Sequence, residues 1–534
     1  MAAGDSDRST TRRTTTGRTT AGWTTAGWTT AERPDGNHAA PPVGDTAAPP
    51  DGAIATTPDG AIAKARRLSF WLDEALAEGG DVAAPLRGAE NCDICIVGGG
   101  YTGLWTAIRL KEHSPGLDVA LIERDICGAG ASGRNGACAF PWWVLYPRLR
   151  DLVGGDEAVR LARASEDAVA EIGRFCSRHG IDAHYHAGDW IWSAVNEAQI
   201  GAWRPTQRAL EEIGVDAISE LSGGEAARLT ASQHHIAGAL VRGTATLQPA
   251  LLARGLRRVA LELGVRLFEK TPLVKLPRRR RPLVVTPEGS IGADKVILAI
   301  NAWSVKFPEL RRRLLVASSD MIATAPIPGR LRQMGWRPGL EISDSSMLLD
   351  YYHARPDGRV VFGRGGLALA YGRHVGTRFD GPSPRADAVA RRFRQFYPGL
   401  ADVALSHSWS GPIDRTRSGL PFFASLAGRR DILFGAGYSG NGIAPALLGG
   451  RILAALALER DCEWANCGLV GSREKSFSAE PLRYVGGTIV RHAVARKEAR
   501  EDAGRRPGFI TRRLAGLVPR TTVGGPRMTR RQRS

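Results

Sequence analysis

The residues best suited to chemistry begin at Gly98. Three glycines are spaced Gly98-x-Gly100-x-x-Gly103, directly after an apolar run, Ile94 to Val97, with the length and composition of a buried parallel strand. Each glycine has its own task in a strand-to-helix turn. Gly98 permits the tight turn, Gly100 lets backbone approach a pyrophosphate, and Gly103 lets the next helix pack against the strand. A helix predicted from about Tyr101 to His113 points its N-terminus, with unpaired N–H groups and positive potential, at the phosphates. A second strand, Val119 to Ile122, ends in Glu123, where an acid accepts from ribose hydroxyls. A lone glycine turn means little in a chain with 64 glycines among 534 residues. Strand, glycines, helix, strand and acid in order mark a dinucleotide site, without separating NAD from FAD.

Two further stretches have chemical potential. Gly128 to Ala137 is rich in glycine and carries Ser132, Arg134 and Asn135. Such a loop wraps a large flat ligand, with backbone N–H groups and an arginine near phosphate or ring oxygens. An apolar aromatic run from Phe140 to Tyr146 follows it. Near the other end, Ile432 to Ala436 reads as a strand running into Gly437-Tyr-Ser-Gly440-Asn-Gly442-Ile443 and then a helix rich in Ala and Leu. A turn of this kind presents N–H donors to a developing anion. The close histidine pairs, His184-x-His186 and His234-His235, lack carboxylates or thiolates at ligand spacing, so they read as turn residues. Cys92-x-x-Cys95 sits on a strand, where residues three apart point to opposite faces. No metal site is expected.

The elements that must position these groups divide the chain. Residues 1–62 are low complexity, repeat TTAGW and DGAIA, hold Trp23 and Trp28 as their bulky aromatics, and are expected to be disordered. Residues 63–90 form a lead-in helix, with Leu68, Trp71, Leu72 and Leu76 at helical spacing, and a linker. A cofactor-binding domain is assembled from 91–150, 240–305 and 405–460. Within it a long helix over Pro249 to Leu263 precedes a strand to Phe268, and Lys295 to Trp303 contains a buried strand that suits a sheet edge at the cofactor. Residues 151–239 and 306–404 make a second domain. It opens with a long helix from Asp156 to about Gly180 and contains an antiparallel sheet between about Asp320 and His407, where Asp357-Gly358 is a hairpin turn. The fold class is α/β, or α+β overall, with a Rossmann-like domain, an inserted antiparallel sheet and a basic C-terminal extension, 461–534.

A net charge of +18 is concentrated in part beyond Arg473. That extension reads as a solvated tail with a helical run from Thr488 to Asp502, and as a weak site for an anionic partner, nucleic acid or membrane surface. No run of about 18 uncharged apolar residues is present, and seven scattered cysteines suit a reducing compartment. A cytoplasmic location is expected.

Four blocks carry a resemblance to a known family: VGGGYTGL at Val97, ERDICGAGASGRNG at Glu123, TLQPALLARGL at Thr246, and WSGPIDRTRSGLPFF with GAGYSGNG from Trp409. From about Ser69 to Ala455 the chain resembles the D-amino-acid-oxidase-like superfamily of FAD-dependent oxidoreductases, and within it the γ-glutamylputrescine oxidoreductase-like amine oxidases. The resemblance implies noncovalent FAD. Gly98, Gly100, Tyr101, Thr102 and Gly103 would face its pyrophosphate, and Glu123 and Arg124 its adenosine. Ala131, Ser132, Arg134, Asn135 and Gly136 would lie along the ribityl and ring side, with Leu273 at the adenine. Gly437, Tyr438, Gly440, Asn441, Gly442 and Ile443 would lie at the pyrimidine end of the flavin. Asn441 stands where many relatives have His, and Cys138 is the residue nearest the flavin loop that could hold the flavin covalently.

The implied chemistry is oxidation of an amine C–N bond, hydride passing to flavin N5, with the imine hydrolysing and oxygen or another acceptor reoxidising the flavin. Tyr351, Tyr352, Arg364 and Trp409 are the candidates for the substrate face. The alternatives are an amino-acid oxidase, for which Arg364 would bind the carboxylate, and a flavoprotein acting on nucleic acid through its tail. No RNA-binding module with interleaved aromatics supports the last.

Overall fold

The computed structural model describes residues 69–77, 81–277, 279–472 and 474–518. The low-complexity segment 1–62, with Trp23 and Trp28, lies outside the described residues. Two sheets hold the strands. The first, in spatial order, is β15 (Phe422–Leu426), β16 (Arg429–Ala436), β9 (Gly289–Leu298), β1 (Gly88–Val97), β2 (Val119–Ile122) and β7 (Arg266–Phe268), with β8 (Leu283–Val285) paired to β9. From β16 to β7 all neighbours are parallel. The reason is visible in the residues: Ile94 to Val97 and Val119 to Ile122 are buried without polar alternation, which suits strands covered on both faces.

Helices supply that cover. Those that bear on the site and its support are, in chain order, α1 (Phe70–Leu76), α2 (Tyr101–His113), α3 (Gly155–Arg178), α4 (Pro249–Glu262), α5 (Ala386–Phe396), α6 (Ile443–Ala457), α7 (Leu482–Asp502) and α8 (Phe509–Ala515). Helix α2 packs against α4 and α6. In α3 the buried residues Leu161, Ala162, Ser165, Ala168, Val169 and Ile172 recur at three- and four-residue intervals, the stripe of an amphipathic helix. Ser69 caps α1 by accepting from the Leu72 N–H, and its hydroxyl donates to the Gly133 carbonyl.

The second sheet has nine strands: β14 (Leu405–Arg415), β10 (Leu315–Thr324), β13 (Val360–Leu369), β12 (Asp350–Ala354), β11 (Glu341–Ser343), β4 (His186–Ala194), β6 (Ala237–Thr246) and β3 (Cys138–Ala139), with β5 (Ile218–Leu221) on β6. One face packs on α5, where Tyr352 and Phe362 meet Phe393 and Phe396. The other face looks toward the dinucleotide turn.

Several expectations are corrected here. The antiparallel sheet is wider than Asp320 to His407, because β3 to β6 join it through the short parallel pairing of β11 with β4. Strands β6 and β14, from segments 240–305 and 405–460, therefore belong to this sheet. Strand β9 is not at an edge, since it pairs with both β1 and β16. Cys92 and Cys95 lie on the same side of β1, in one core cluster with Val97. The N–H groups of Asp93 and Ile94 both donate to the Asp118 carbonyl, at the point where β1 begins to pair with β2. Contact with Cys92 and burial hold the Cys95 thiol well above its ordinary range. Nor is the C-terminal extension merely a solvated tail. The buried Glu498 of α7 accepts from the Met347 and Leu348 N–H groups, and Asp502 pairs with Arg392 and Asn196.

Candidate functional site

A cavity of about 500 Å³ lies between the dinucleotide turn and the inner face of the nine-stranded sheet, within the size range of ligand sites. Its first wall is the turn after β1. Gly98 has φ +113°, and a Cβ there would stand 2.5 Å from the Ala299 carbonyl oxygen. At Gly103 a Cβ would stand 1.9 Å from the Gly98 carbonyl oxygen, so the helix approaches the strand as closely as backbone allows. Gly100 is the N-cap of α2 and has no side-chain cap, which leaves the helix start facing the cavity. Glu123 is held in place by two backbone donors, the Gly99 N–H at 2.8 Å and the Asp125 N–H at 3.0 Å. Burial raises its carboxyl above the usual range, against the pull of those donors. Arg124 lies over the Trp303 ring at 3.9 Å and pairs with Asp380.

The glycine-rich loop closes over α2. Ser132 accepts from the Tyr101 N–H at 2.9 Å. Arg134 donates to the Ala129 carbonyl and reaches the Ser410 carbonyl, while the Asn135 amide bonds to the Ser132 carbonyl and the Ala137 N–H. All three line the cavity, yet Arg134 and Asn135 build the loop with their polar groups. Burial lowers the Arg134 guanidinium from its ordinary value.

The third wall is the turn before α6. Gly437 has φ +90°, and its N–H donates to Asp414, whose carboxyl is pushed up to about 7 by burial. Gly442 caps α6 without a side-chain bond. Asn441 lines the cavity, and among the described residues both polar atoms of its buried amide lack a protein partner. A polar ligand must satisfy that amide, since an unpaired buried donor is costly.

The inner face of the nine-stranded sheet makes the far wall, through Ser319, Tyr351, Glu341, Ser343, Trp190 and Arg415. Tyr351 lies against two glycines: a Cβ on Gly136 or Gly363 would stand 2.6 Å or 2.3 Å from its ring. Its hydroxyl is hydrogen-bonded to the Ser319 hydroxyl, and burial holds its pKa up. Trp190 donates to the Ser343 hydroxyl at 2.7 Å and stacks on Phe140 at 5.5 Å. Arg415 is lowered to about 10 by burial, and burial keeps the Cys138 thiol well above its ordinary range.

Among the substrate-face candidates, Tyr351 lines the cavity and the other three do not. Tyr352 points to the opposite face, because neighbours on a strand alternate; its hydroxyl meets His235 Nε2. Arg364 shares that opposite face, 3.6 Å from both Asp350 and Glu498. Trp409 is fully buried beside Trp71 and donates to the Arg134 carbonyl. Of the cofactor candidates, Gly98, Gly100, Tyr101, Thr102, Glu123, Arg124, Ala131, Gly136, Leu273, Tyr438, Gly440 and Ile443 line the cavity alongside those described above, whereas Gly103 and Gly437 stand behind the wall. His235 is a core residue lowered to about 3 by burial, and no cluster suited to a metal ion occurs among the described residues.

Sequence reasoning missed Glu341, Trp190, Asp414 and Arg415. The last two had a signal, since two charged residues end a strand just ahead of a glycine turn.

A dinucleotide cradle opening onto an aromatic-walled sheet is the architecture of a flavin oxidoreductase. The model of the family described as FAD dependent oxidoreductase matches residues 93–456, and the chain belongs to that family, with FAD as its cofactor. It is 29% identical over 386 residues to the probable oxidoreductase OrdL of Rhizobium meliloti (strain 1021), covering 71% of this chain and 86% of that protein. It is also 29% identical over 384 residues to the gamma-glutamylputrescine oxidoreductase of Escherichia coli (strain K12), with the same coverage of both chains. The glycine oxidase of Geobacillus kaustophilus shares the fold, with a TM-score of 0.58 at 20% identity, covering 72% of this chain and 100% of that one.

Proposed function

We propose that the protein oxidises the C–N bond of an amine, of the γ-glutamylputrescine type or related, to an imine that hydrolyses. The observation that carries this reading is the continuity of the cavity, from the Gly98 turn to the face bearing Trp190, Glu341 and Tyr351. FAD, when bound noncovalently, supplies the two-electron acceptor for hydride leaving the carbon. The chain's own residues do the rest. Trp190 and Phe140 exclude water from that face, the paired Tyr351 and Ser319 hydroxyls are fixed to orient a polar substrate group, and the uncapped start of α6 directs positive potential into the cavity. The likeness to the gamma-glutamylputrescine oxidoreductase supports an amine, and the engagement of Arg364 outside the cavity removes one carboxylate anchor.

A second reading, oxidation of an amino acid, is favoured by Arg415, a guanidinium on the cavity wall. A cytoplasmic setting is supported by seven cysteines without disulfides, and no helix among the described residues is long and apolar enough to cross a membrane. The test is anaerobic mixing of the FAD-loaded protein with amines and amino acids while flavin absorbance is followed. Faster bleaching by γ-glutamylputrescine, putrescine or other amines is expected. Faster bleaching by D- or L-amino acids or glycine would favour the second reading.

A further inference from the structure

Among the described residues, buried acids pair with arginine or accept from backbone N–H groups, with one exception. Glu269 pairs with Arg254 and Arg257, Asp320 with Arg385, and Asp350 with Arg392. Glu474 and Glu498 each accept from two backbone N–H groups. Such compensation is what burial of a carboxylate demands.

Glu341 has neither kind of support among the described residues. It is 3% exposed, opens the short strand β11, and lines the cavity beside Trp190 and Ser343. Its one charged or titratable contact is His353, whose Nδ1 stands 3.1 Å from Oε2 but is not aligned for a hydrogen bond. The other titratable groups around it, Cys138 on β3 and Tyr351 on β12, are neutral at ordinary pH and offer no positive charge. His353 is itself held from behind by stacking on Trp71 at 6.2 Å. A carboxylate therefore borders an open volume with a free accepting edge.

We infer that Glu341 is the site that receives the positively charged nitrogen of the substrate, and that its ligand class is an alkylammonium ion. The inference deepens the amine reading above and rests on it for its place in the reaction. An ammonium seated on Glu341 supplies the donor that the buried carboxylate lacks and passes it one proton, which frees the nitrogen lone pair that hydride loss from the neighbouring carbon requires; the Trp190 and Phe140 rings lie beside the alkyl chain. A substrate carboxylate placed at the same spot meets like charge, so the site discriminates against anions by repulsion as well as attraction. Burial, which raises the Glu341 carboxyl, agrees with a group completed only when a cation arrives.

The experiment is isothermal titration calorimetry on the FAD-loaded protein with n-butylammonium, n-butanol and butyrate as probes. Wild type is expected to bind n-butylammonium in preference to the other two. Glu341→Gln, which keeps shape and loses charge, should weaken n-butylammonium at least tenfold and leave n-butanol unchanged. Glu341→Asp should recover part of the loss, which a purely structural role would not give. Equal affinity of wild type and Glu341→Gln for n-butylammonium, or preference of wild type for butyrate, overturns the proposal, and so does failure of wild type to bind n-butylammonium. Absence of flavin bleaching by any amine, alongside Glu341-dependent binding of n-butylammonium, would instead overturn the oxidation reading and leave the ammonium site standing.

Discussion

Glu123 and Glu341 line the same cavity from two different sheets, and burial raises both carboxyls. Their surroundings differ. Glu123 accepts from the Gly99 and Asp125 N–H groups, which fix its orientation before any ligand arrives. Among the described residues Glu341 has His353 as its one ion-pair contact and no backbone donor. A preorganised acid suits neutral hydroxyls, which must find an acceptor already aimed at them. An incompletely paired acid suits a charged group that brings its own donors. The cofactor end is thus built to hold one ligand tightly, and the sheet end to select and release.

The first way to break that contrast is at the glycines. Gly98→Val places a side chain against the Ala299 carbonyl in a backbone conformation that valine rarely adopts, so the purified variant should carry no FAD. Gly100→Ala, whose Cβ would stand 3.0 Å from the Ser132 hydroxyl at the cavity wall, should weaken FAD binding less than Gly98→Val does. Equal flavin-to-protein absorbance ratios in wild type and Gly98→Val would break the assignment of the cradle.

The next largest effect is expected at Glu123. Glu123→Ala leaves the Gly99 and Asp125 N–H groups without their acceptor, a cost of about 1–3 kcal/mol. The dissociation constant for FAD should rise about ten- to hundredfold, read by fluorescence titration of the apoprotein. Glu341→Gln should leave FAD affinity where it is. Loss of FAD from the Glu341 variant would show that the two ends are not separate.

These two glutamates also show what a sequence discloses. Glu123 is legible because its environment is local: strand, turn, helix, strand and acid all fall within Ile94 to Glu123. Glu341 is not, because it opens a three-residue strand whose parallel partner β4 lies far back in the chain. The adjacent tyrosines make the same point. Whether Tyr351 or Tyr352 faces the cavity is a matter of register with β13, which sets Tyr351 opposite Gly363 and Tyr352 opposite Phe362. The glycines that make room for Tyr351, Gly136 and Gly363, come from segments that are distant in sequence. In the C-terminal extension, basic composition hid Glu498 and Asp502, whose pairing to the nine-stranded sheet domain depends on three-dimensional neighbours.

Glu498 extends the comparison to an acid with backbone donors but no ligand. Glu498→Ala leaves the Met347 and Leu348 N–H groups unpaired, again about 1–3 kcal/mol. The melting temperature should fall by a few degrees while flavin content stays constant. An unchanged melting temperature would mean that α7 adds no stability through this contact.

The smallest effect expected is one of pH. Asp344 is fully buried near Asp350 and Arg392, and burial, reinforced by the Asp350 charge, pushes its carboxyl from an ordinary 3.8 to about 8. The folded chain therefore keeps a proton on Asp344 that the unfolded chain gives up at much lower pH. Between those two values the unfolded state binds fewer protons, so the slope of unfolding free energy with pH is negative for this group. Its contribution is fully present below the unfolded value and is lost as pH rises through about 8. Asp344→Asn removes the titration and keeps a group able to meet Ser346 and the Asp350 N–H. Wild type should lose melting temperature relative to Asp344→Asn between pH 6 and pH 9, by a few degrees, in scans of both proteins across that range. Parallel curves would mean that Asp344 is already ionised in the fold, with Arg392 neutralising both aspartates, and that incomplete pairing is confined to Glu341.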